Sequence, residues 1–173
     1  MRNFAFCCLF TTLIATPICG QEHSHTTAEN SSNTRKVETP KVFLDKSPRI
    51  VAYQLKRLDN QRLLMVERKR TEAKYIPVYE AILARVGMSP KFRLESIDAL
   101  AELQDSDPVT ITMAAIDSLN TSKSEEKRTA KQLAKMLLEM KTEQLRAKAT
   151  VLLEMAQSDS SLAAAIATAA LLI

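Results

Sequence analysis

From Gln21 to Ile173 the chain contains a single glycine, Gly87. Tight β-hairpins and phosphate-cradling loops draw on glycine for backbone conformations closed to other residues, so a chain this poor in it is steered away from both. The apolar residues point to helices instead. Val51, Leu55 and Leu58 share one helical face, as do Val78, Ile82 and Val86 with Ala81 and Leu83 alongside. Phe92 leads into Ile97, Leu100, Ala101 and Leu103, and Val109, Met113, Ile116 and Leu119 form the next stripe. Leu133, Met136, Leu137 and Met140 follow, then Leu145, Ala149, Leu152, Leu153 and Ala156. Spacings of three and four residues with charges opposite are the mark of amphipathic helices. Leu63 to Val66 alone reads equally as a short strand or a buried turn of helix.

Helix starts punctuate these stripes. Ser47-Pro48, Ser89-Pro90 and Asp107-Pro108 each set an oxygen-bearing side chain, suited to accept from first-turn N–H groups, before a proline, whose missing N–H costs nothing there. Pro77 is expected to open a further helix, and Gly87 to end it as the left-handed C-terminal residue. The spacing predicts six or seven helices of roughly ten to seventeen residues. Short loops make sequential helices antiparallel neighbours. The expected fold is therefore all-α, built of antiparallel helical hairpins. Pro90 to Gln157 reads as two successive hairpins, the rhythm of a HEAT-like α-solenoid. Self-similarity between them is weak, and an irregular helical bundle is the alternative.

The N-terminus has the layout of a secretory signal over residues 1–20: Arg2 in a short basic start, an apolar run from Phe4 to Ile14, and small residues toward Gly20. The run is about half the ~20 residues of a spanning helix, so no transmembrane anchor is expected after cleavage. All three cysteines, Cys7, Cys8 and Cys19, fall inside this segment. Lipidation at Cys19 is disfavoured, because Ile18 stands where a small residue is normally required. Residues 21–40 are rich in Ser, Thr, Asn and His and read as a flexible leader. The helical domain is expected over 41–173, in a periplasmic or extracellular location. It has no thiol for disulfides and must rest on apolar burial. Leu162 to Ile173 carries no charge and stops without a polar cap. Three readings stand for it: burial inside a bundle, docking on a partner, or a domain that continues beyond Ile173. The last is the expectation.

Little in the domain carries reactive chemistry. The two histidines, His23 and His25, lie in the leader, where a lone pair of imidazoles on a mobile tail makes a poor metal site. No nucleophile has a histidine base within the domain. Acids such as Glu139 and Glu143 are spaced to pair with Lys135 and Arg146. Met113, Met136, Met140 and Met155 lie on apolar stripes and read as core. Asn30-Ser31-Ser32 and Asn120-Thr121-Ser122 match the glycosylation pattern, a short and common one. The most basic stretch runs from Lys56 to Lys74. Lys56, Arg57, Arg68, Lys69 and Arg70 offer a weak anionic-surface candidate, but acids interrupt them and the formal net charge of the chain is only +4. No nucleic acid is expected as a partner, for want of an aromatic platform among the basic residues. No catalytic, cofactor-binding or metal residue is assigned, and no cofactor is expected in this chain.

Two segments carry a resemblance. Val42-Phe43-Leu44-Asp45-Lys46-Ser47-Pro48-Arg49-Ile50-Val51, with Tyr53-Gln54-Leu55 and Leu63-Leu64-Met65-Val66-Glu67-Arg68 after it, is one. Tyr75-Ile76-Pro77-Val78-Tyr79-Glu80-Ala81-Ile82-Leu83 is the other. They resemble the N-terminal helical region of large exported bacterial proteins that carry c-type haem domains, some with blue-copper-like or HEAT-like segments. The resemblance covers about Val42 to Leu103 and contains no catalytic motif. It implies a scaffold whose redox domain lies elsewhere. The expected function is thus an exported, non-catalytic helical-repeat scaffold or protein-binding module supporting a partner or a neighbouring domain. The alternative is the N-terminal piece of a c-type haem or copper redox protein with its cofactor domain beyond Ile173.

Overall fold

The computed structural model describes residues 38–157 and 161–173, within a compact unit Lys36–Ile173. The expected signal segment, the leader up to residue 37, the three cysteines, both histidines and Asn30 lie outside the described residues. The described chain is all-helical: α1 (Pro48–Lys56), α2 (Asn60–Met65), a 3-10 turn (Ala73–Tyr75), α3 (Ile76–Ala84), α4 (Pro90–Leu103), α5 (Pro108–Asp117), α6 (Ser124–Leu138), α7 (Thr142–Ala147), α8 (Ala149–Ala156) and α9 (Ser161–Leu171). That is more helices, and shorter ones, than the six or seven the periodicity predicts.

Prolines open α1, α4 and α5 at the first position and α3 at the second. The side-chain caps are fewer than expected. Asp107 accepts from the Thr110 N–H at 3.0 Å, while Ser47 and Ser89 make no such bond and close their first turns through their backbone carbonyls. Proline thus suffices to start α1 and α4, with serine contributing backbone geometry alone. Asp59, unmarked by any proline, caps α2 through the Arg62 N–H at 2.8 Å. That helix resolves the ambiguous Leu63 to Val66 run, whose Leu63 is fully buried.

Gly87 does not end α3 as its left-handed residue. The helix closes at Arg85, and Gly87, at φ +73°, is the third residue of a turn in which Met88 N–H donates to Arg85 O. The left-handed helix terminator belongs to α4, where Asp105 takes φ +47° and Ser106 N–H reaches back to Ala101 O at 2.9 Å. Aspartate is one of the few side chains that enter this region readily.

The principal contacts run α3 on α4, α5 on α6 and α8 on α9, with α4 and α3 also meeting α5, and α9 meeting α5, α6 and α7. Helical hairpins therefore pack on one another in chain order, with α1 laid against α3. One continuous core runs through them, from Val51, Leu55 and Leu63 through Ile82, Ile97, Leu100 and Met113 to Leu133, Leu137, Leu152 and Ala167.

The stripe from Leu145 to Ala156 is not one helix. It breaks at Lys148, which leaves helical geometry at φ −115°, ψ 19° and whose ammonium lies 2.9 Å from Asp107. Leu145 and Leu152 are buried on either side, but Ala149 and Leu153 turn outward. The uncharged end does pack within this chain. Ala163, Ile166, Ala167 and Ala170 are buried, while Leu171, Leu172 and Ile173 are exposed, Leu172 at 83 %.

Candidate functional site

The polar framework explains how the first helices are held, and it rests on Arg85, Arg93 and Asn60, which sequence reasoning passed over, together with Arg68 of the basic stretch. Three arginines close three helix C-termini, where backbone carbonyls lack partners and the helix dipole is negative. Arg68 Nη1 donates to Leu64 O of α2 at 2.7 Å. Arg85 Nη2 donates to Leu55 O of α1 at 2.7 Å. Arg93, projecting from α4 and fully buried, donates to Leu83 O and Arg85 O at the end of α3 and to Met88 O beyond it. Burial lowers the Arg93 guanidinium to about 10, still far above neutrality, so it stays charged and answers three carbonyls rather than a carboxylate. Desolvation lowers Arg85 as well. Asn60 Nδ2 donates to Val86 O at 3.1 Å and fastens the same turn to α2. Arg85 and Arg93 fall among apolar residues at helical spacing, and nothing in that spacing reveals which helix end each guanidinium serves.

The basic stretch is largely consumed by this framework. Arg68 also pairs with Glu95 of α4 at 3.0 Å, partly buried; Arg70 pairs with Glu102 at 3.1 Å, and Lys69 with Glu67 and Glu72 at 3.3 Å. Glu72 is held below the ordinary glutamate value chiefly by hydrogen bonds from Lys74 and Lys69. Arg57 stacks over exposed Tyr53 at 5.6 Å. Of the five candidates, Lys56 and Arg57 alone form no ion pair among the described residues. Lys135 and Glu139 do approach, at 3.8 Å, whereas Glu143 and Arg146 form no ion pair among the described residues. The expected core methionines are placed as follows: Met113 and Met136 are buried, Met140 and Met155 partly so. Asn120 lies exposed in the α5–α6 loop, its Oδ1 accepting from Ser122 N–H at 3.1 Å.

Beside this framework, sharing Arg85 with it, is a groove of about 760 Å³. One wall is α1, through Pro48, Ala52, Leu55 and Lys56; the floor is α3, through Pro77, Glu80, Ala81 and Ala84. Ser118 and Leu119 of the α5–α6 loop, with Glu125 and Glu126 of the first turn of α6, close the far side. Arg85 lies at one end, its guanidinium turned to the α1 carbonyls. Ala52 on α1 and Ala81 and Ala84 on α3 are small, so the backbones of both helices come near the open space at those positions. Glu126 is engaged, accepting from Lys123 Nζ at 2.9 Å and from Asn120 N–H at 2.8 Å, which hold it below the ordinary value. Glu80 is different. It stands where this groove meets a smaller hollow of about 310 Å³ that runs on past Leu100, Gln104 and Ile111. The residue as a whole is exposed, but partial desolvation of its carboxyl beside those walls raises it above the ordinary glutamate value, against a smaller lowering by a hydrogen bond from Gln104. No cation pairs with it among the described residues.

The groove contains no nucleophile–base pair, and among the described residues no group of three or more His, Cys, Asp or Glu side chains is placed to hold a metal ion. No described helix is long and apolar enough to cross a membrane. No protein-family model, curated protein or solved structure matches this chain.

Proposed function

We propose that the chain is an exported, non-catalytic helical scaffold that binds a protein partner through the groove between α1, α3 and the α5–α6 corner. Export draws on the basic, apolar and small-residue order of residues 1–20. The repeat-like, HEAT-type reading draws on hairpins that pack on each other in chain order. The observation that carries the binding role is the groove itself: an open, alanine-floored channel whose walls are fixed by side-chain bonds to helix ends. A surface already shaped before contact loses little entropy on binding, which is the main cost that such association must overcome.

A photo-reactive side chain introduced at Ala81, on the groove floor, tests this in cells that make the protein. A control places the same group at Asp98, exposed on α4. The expected result is a discrete heavier adduct from the Ala81 position alone. Equal labelling from both positions, or none from Ala81, would remove the groove as the binding surface.

A further inference from the structure

α1 presents a second surface, which shares only Lys56 with the groove. We propose that this surface rests on an anionic lipid bilayer.

Val51 and Leu55 form the buried stripe of α1. Arg49, Ile50, Tyr53 and Lys56, with Arg57 just past the last turn, fall together on the opposite, exposed one. The outward stripe of a surface helix is ordinarily polar throughout. Here Ile50 is 49 % and Tyr53 60 % exposed, and Phe43 joins them at 58 %. Phe43 is held beside the helix: its N–H donates to Gln54 Oε1 at 3.0 Å, and Gln54 Nε2 donates to Phe43 O and to Ile50 O, each at 3.4 Å. The charge around these side chains has one sign. From Lys46 to Leu58 there are four cations, Lys46, Arg49, Lys56 and Arg57, and no acid. The flanking acids are engaged: Asp45 lies 3.6 Å from Lys46, and Asp59 caps α2. Lys56 acts on Glu126 across the groove. Arg49 and Arg57 form no ion pair among the described residues, and Arg57 lies over the Tyr53 ring, 5.6 Å from its centroid. The stripe itself therefore carries an excess of positive charge, which an anionic surface complements.

Size decides between lipid and protein. These six residues fall far short of the ~20–30 a side that a stable protein interface uses. Partition onto a bilayer has no such threshold, because each inserted apolar group and each cation near the headgroups adds to it. The ridge of a helix needs no matching pocket there. Tyrosine and arginine also suit the headgroup level, each with an apolar body and a polar tip.

The chain contains no tryptophan, so Tyr53→Trp in the full chain gives a single indole that reports from this face alone. Its emission is followed with vesicles of phosphatidylcholine, alone or mixed with phosphatidylglycerol, and with brominated acyl chains as the quencher. A blue shift and quenching are expected with the mixed vesicles only, and both should decline at about 1 M salt, where the Debye length is about 3 Å. Leu94→Trp, at an exposed position on α4, should show neither. Adding Arg49→Gln and Arg57→Gln to Tyr53→Trp should weaken binding about twenty-five-fold, at about fivefold for each lost cation. Equal responses from positions 53 and 94, a response to neutral vesicles as strong as that to anionic ones, binding unchanged by loss of both arginines, or no response at all would overturn the proposal. So would a shift with soluble poly-glutamate and none with vesicles, which would assign the stripe to an acidic protein instead.

Discussion

The groove beside α1 and the open end of α9 are both apolar and exposed, yet they are held in opposite ways. Around the groove, polar side chains reach across to foreign backbone: Arg85 to α1, Arg93 to α3, Asn60 to the turn at Val86. At the other end α9 has no charge, and its buried side chains are Ala163, Ile166, Ala167 and Ala170. Small side chains give close packing but little apolar area each, and among the described residues no side-chain hydrogen bond or ion pair ties the helix to another element. The comparison teaches that exposed apolar surface is not one kind of thing. The first is a shape maintained by hydrogen bonds that a partner can meet. The second is a helix end at which Leu172 is 83 % and Ile173 50 % exposed, beside a hollow shared with Leu145, Arg146 and Ala149.

The largest break in this contrast should come from Arg93. Removing the guanidinium in Arg93→Ala takes the side-chain donor from the Leu83 and Met88 carbonyls and leaves Arg85 O with the Met88 N–H alone, and hydrogen bonds from a charged donor contribute about 1.5–3 kcal/mol each, not additively. A loss of about 4 kcal/mol in urea unfolding is expected, with Arg93→Lys recovering only part, because one ammonium cannot span three carbonyls as a planar guanidinium does. A loss under about 1 kcal/mol would mean that water replaces the arginine and that the framework around α3 is looser than described.

Ile166→Ala tests the other region. It removes the one large buried side chain of α9 and should cost about 2–3 kcal/mol. If the two regions differ as argued, α8 and α9 lose structure first and the unfolding transition broadens. A shift of the whole transition without broadening would join the two ends into one cooperative unit.

Asp107 stands between them, capping α5 through Thr110 and pairing with Lys148 where α7 breaks from α8. Burial pushes its carboxyl up, but the Thr110 N–H, the Lys148 ammonium and the Thr110 hydroxyl outweigh that and hold it below the ordinary aspartate value. Because the folded value is the lower one, its contribution is full above the ordinary aspartate range and is lost as pH falls through the folded value. Asp107→Ala should cost about 1–2 kcal/mol at neutral pH. The variant should also lose less stability than the parent on acidification, measured by urea midpoints at neutral and acidic pH.

These effects also separate what the sequence made legible from what it did not. The prolines at 48, 77, 90 and 108 marked four helix starts because proline's constraint is local. The all-α class followed from apolar period alone. The break at Lys148 was hidden, since Leu145, Leu152 and Ala156 keep helical spacing across it and the Asp107 contact comes from a distant helix. The groove was hidden for the same reason. Ala52, Ala81 and Ala84 look like inert helix formers, and only the packing of α1 on α3 beside the α5–α6 corner makes a channel of them. Arg85 and Arg93 drew no reading from the sequence, because the carbonyls that they serve belong partly to other elements.

Smaller changes sharpen the picture. Gly87→Ala should cost about 1 kcal/mol from backbone strain at φ +73°, since the added methyl meets Asn60 Nδ2 only at an ordinary 3.5 Å. Thermal unfolding checks it; a larger loss would show that the turn locks the groove wall as well as ending it. Lys135→Ala, breaking an exposed pair with Glu139, should change stability by less than about 0.5 kcal/mol.

The central claim, that the groove is shaped before any partner arrives, is tested most directly by amide hydrogen exchange of the free protein. The account predicts that the core amides of α1 and α3 exchange only through global unfolding, while those of α9 exchange sooner through partial opening. Exchange of α1 and α3 as fast as that of α9, or faster, would contradict it.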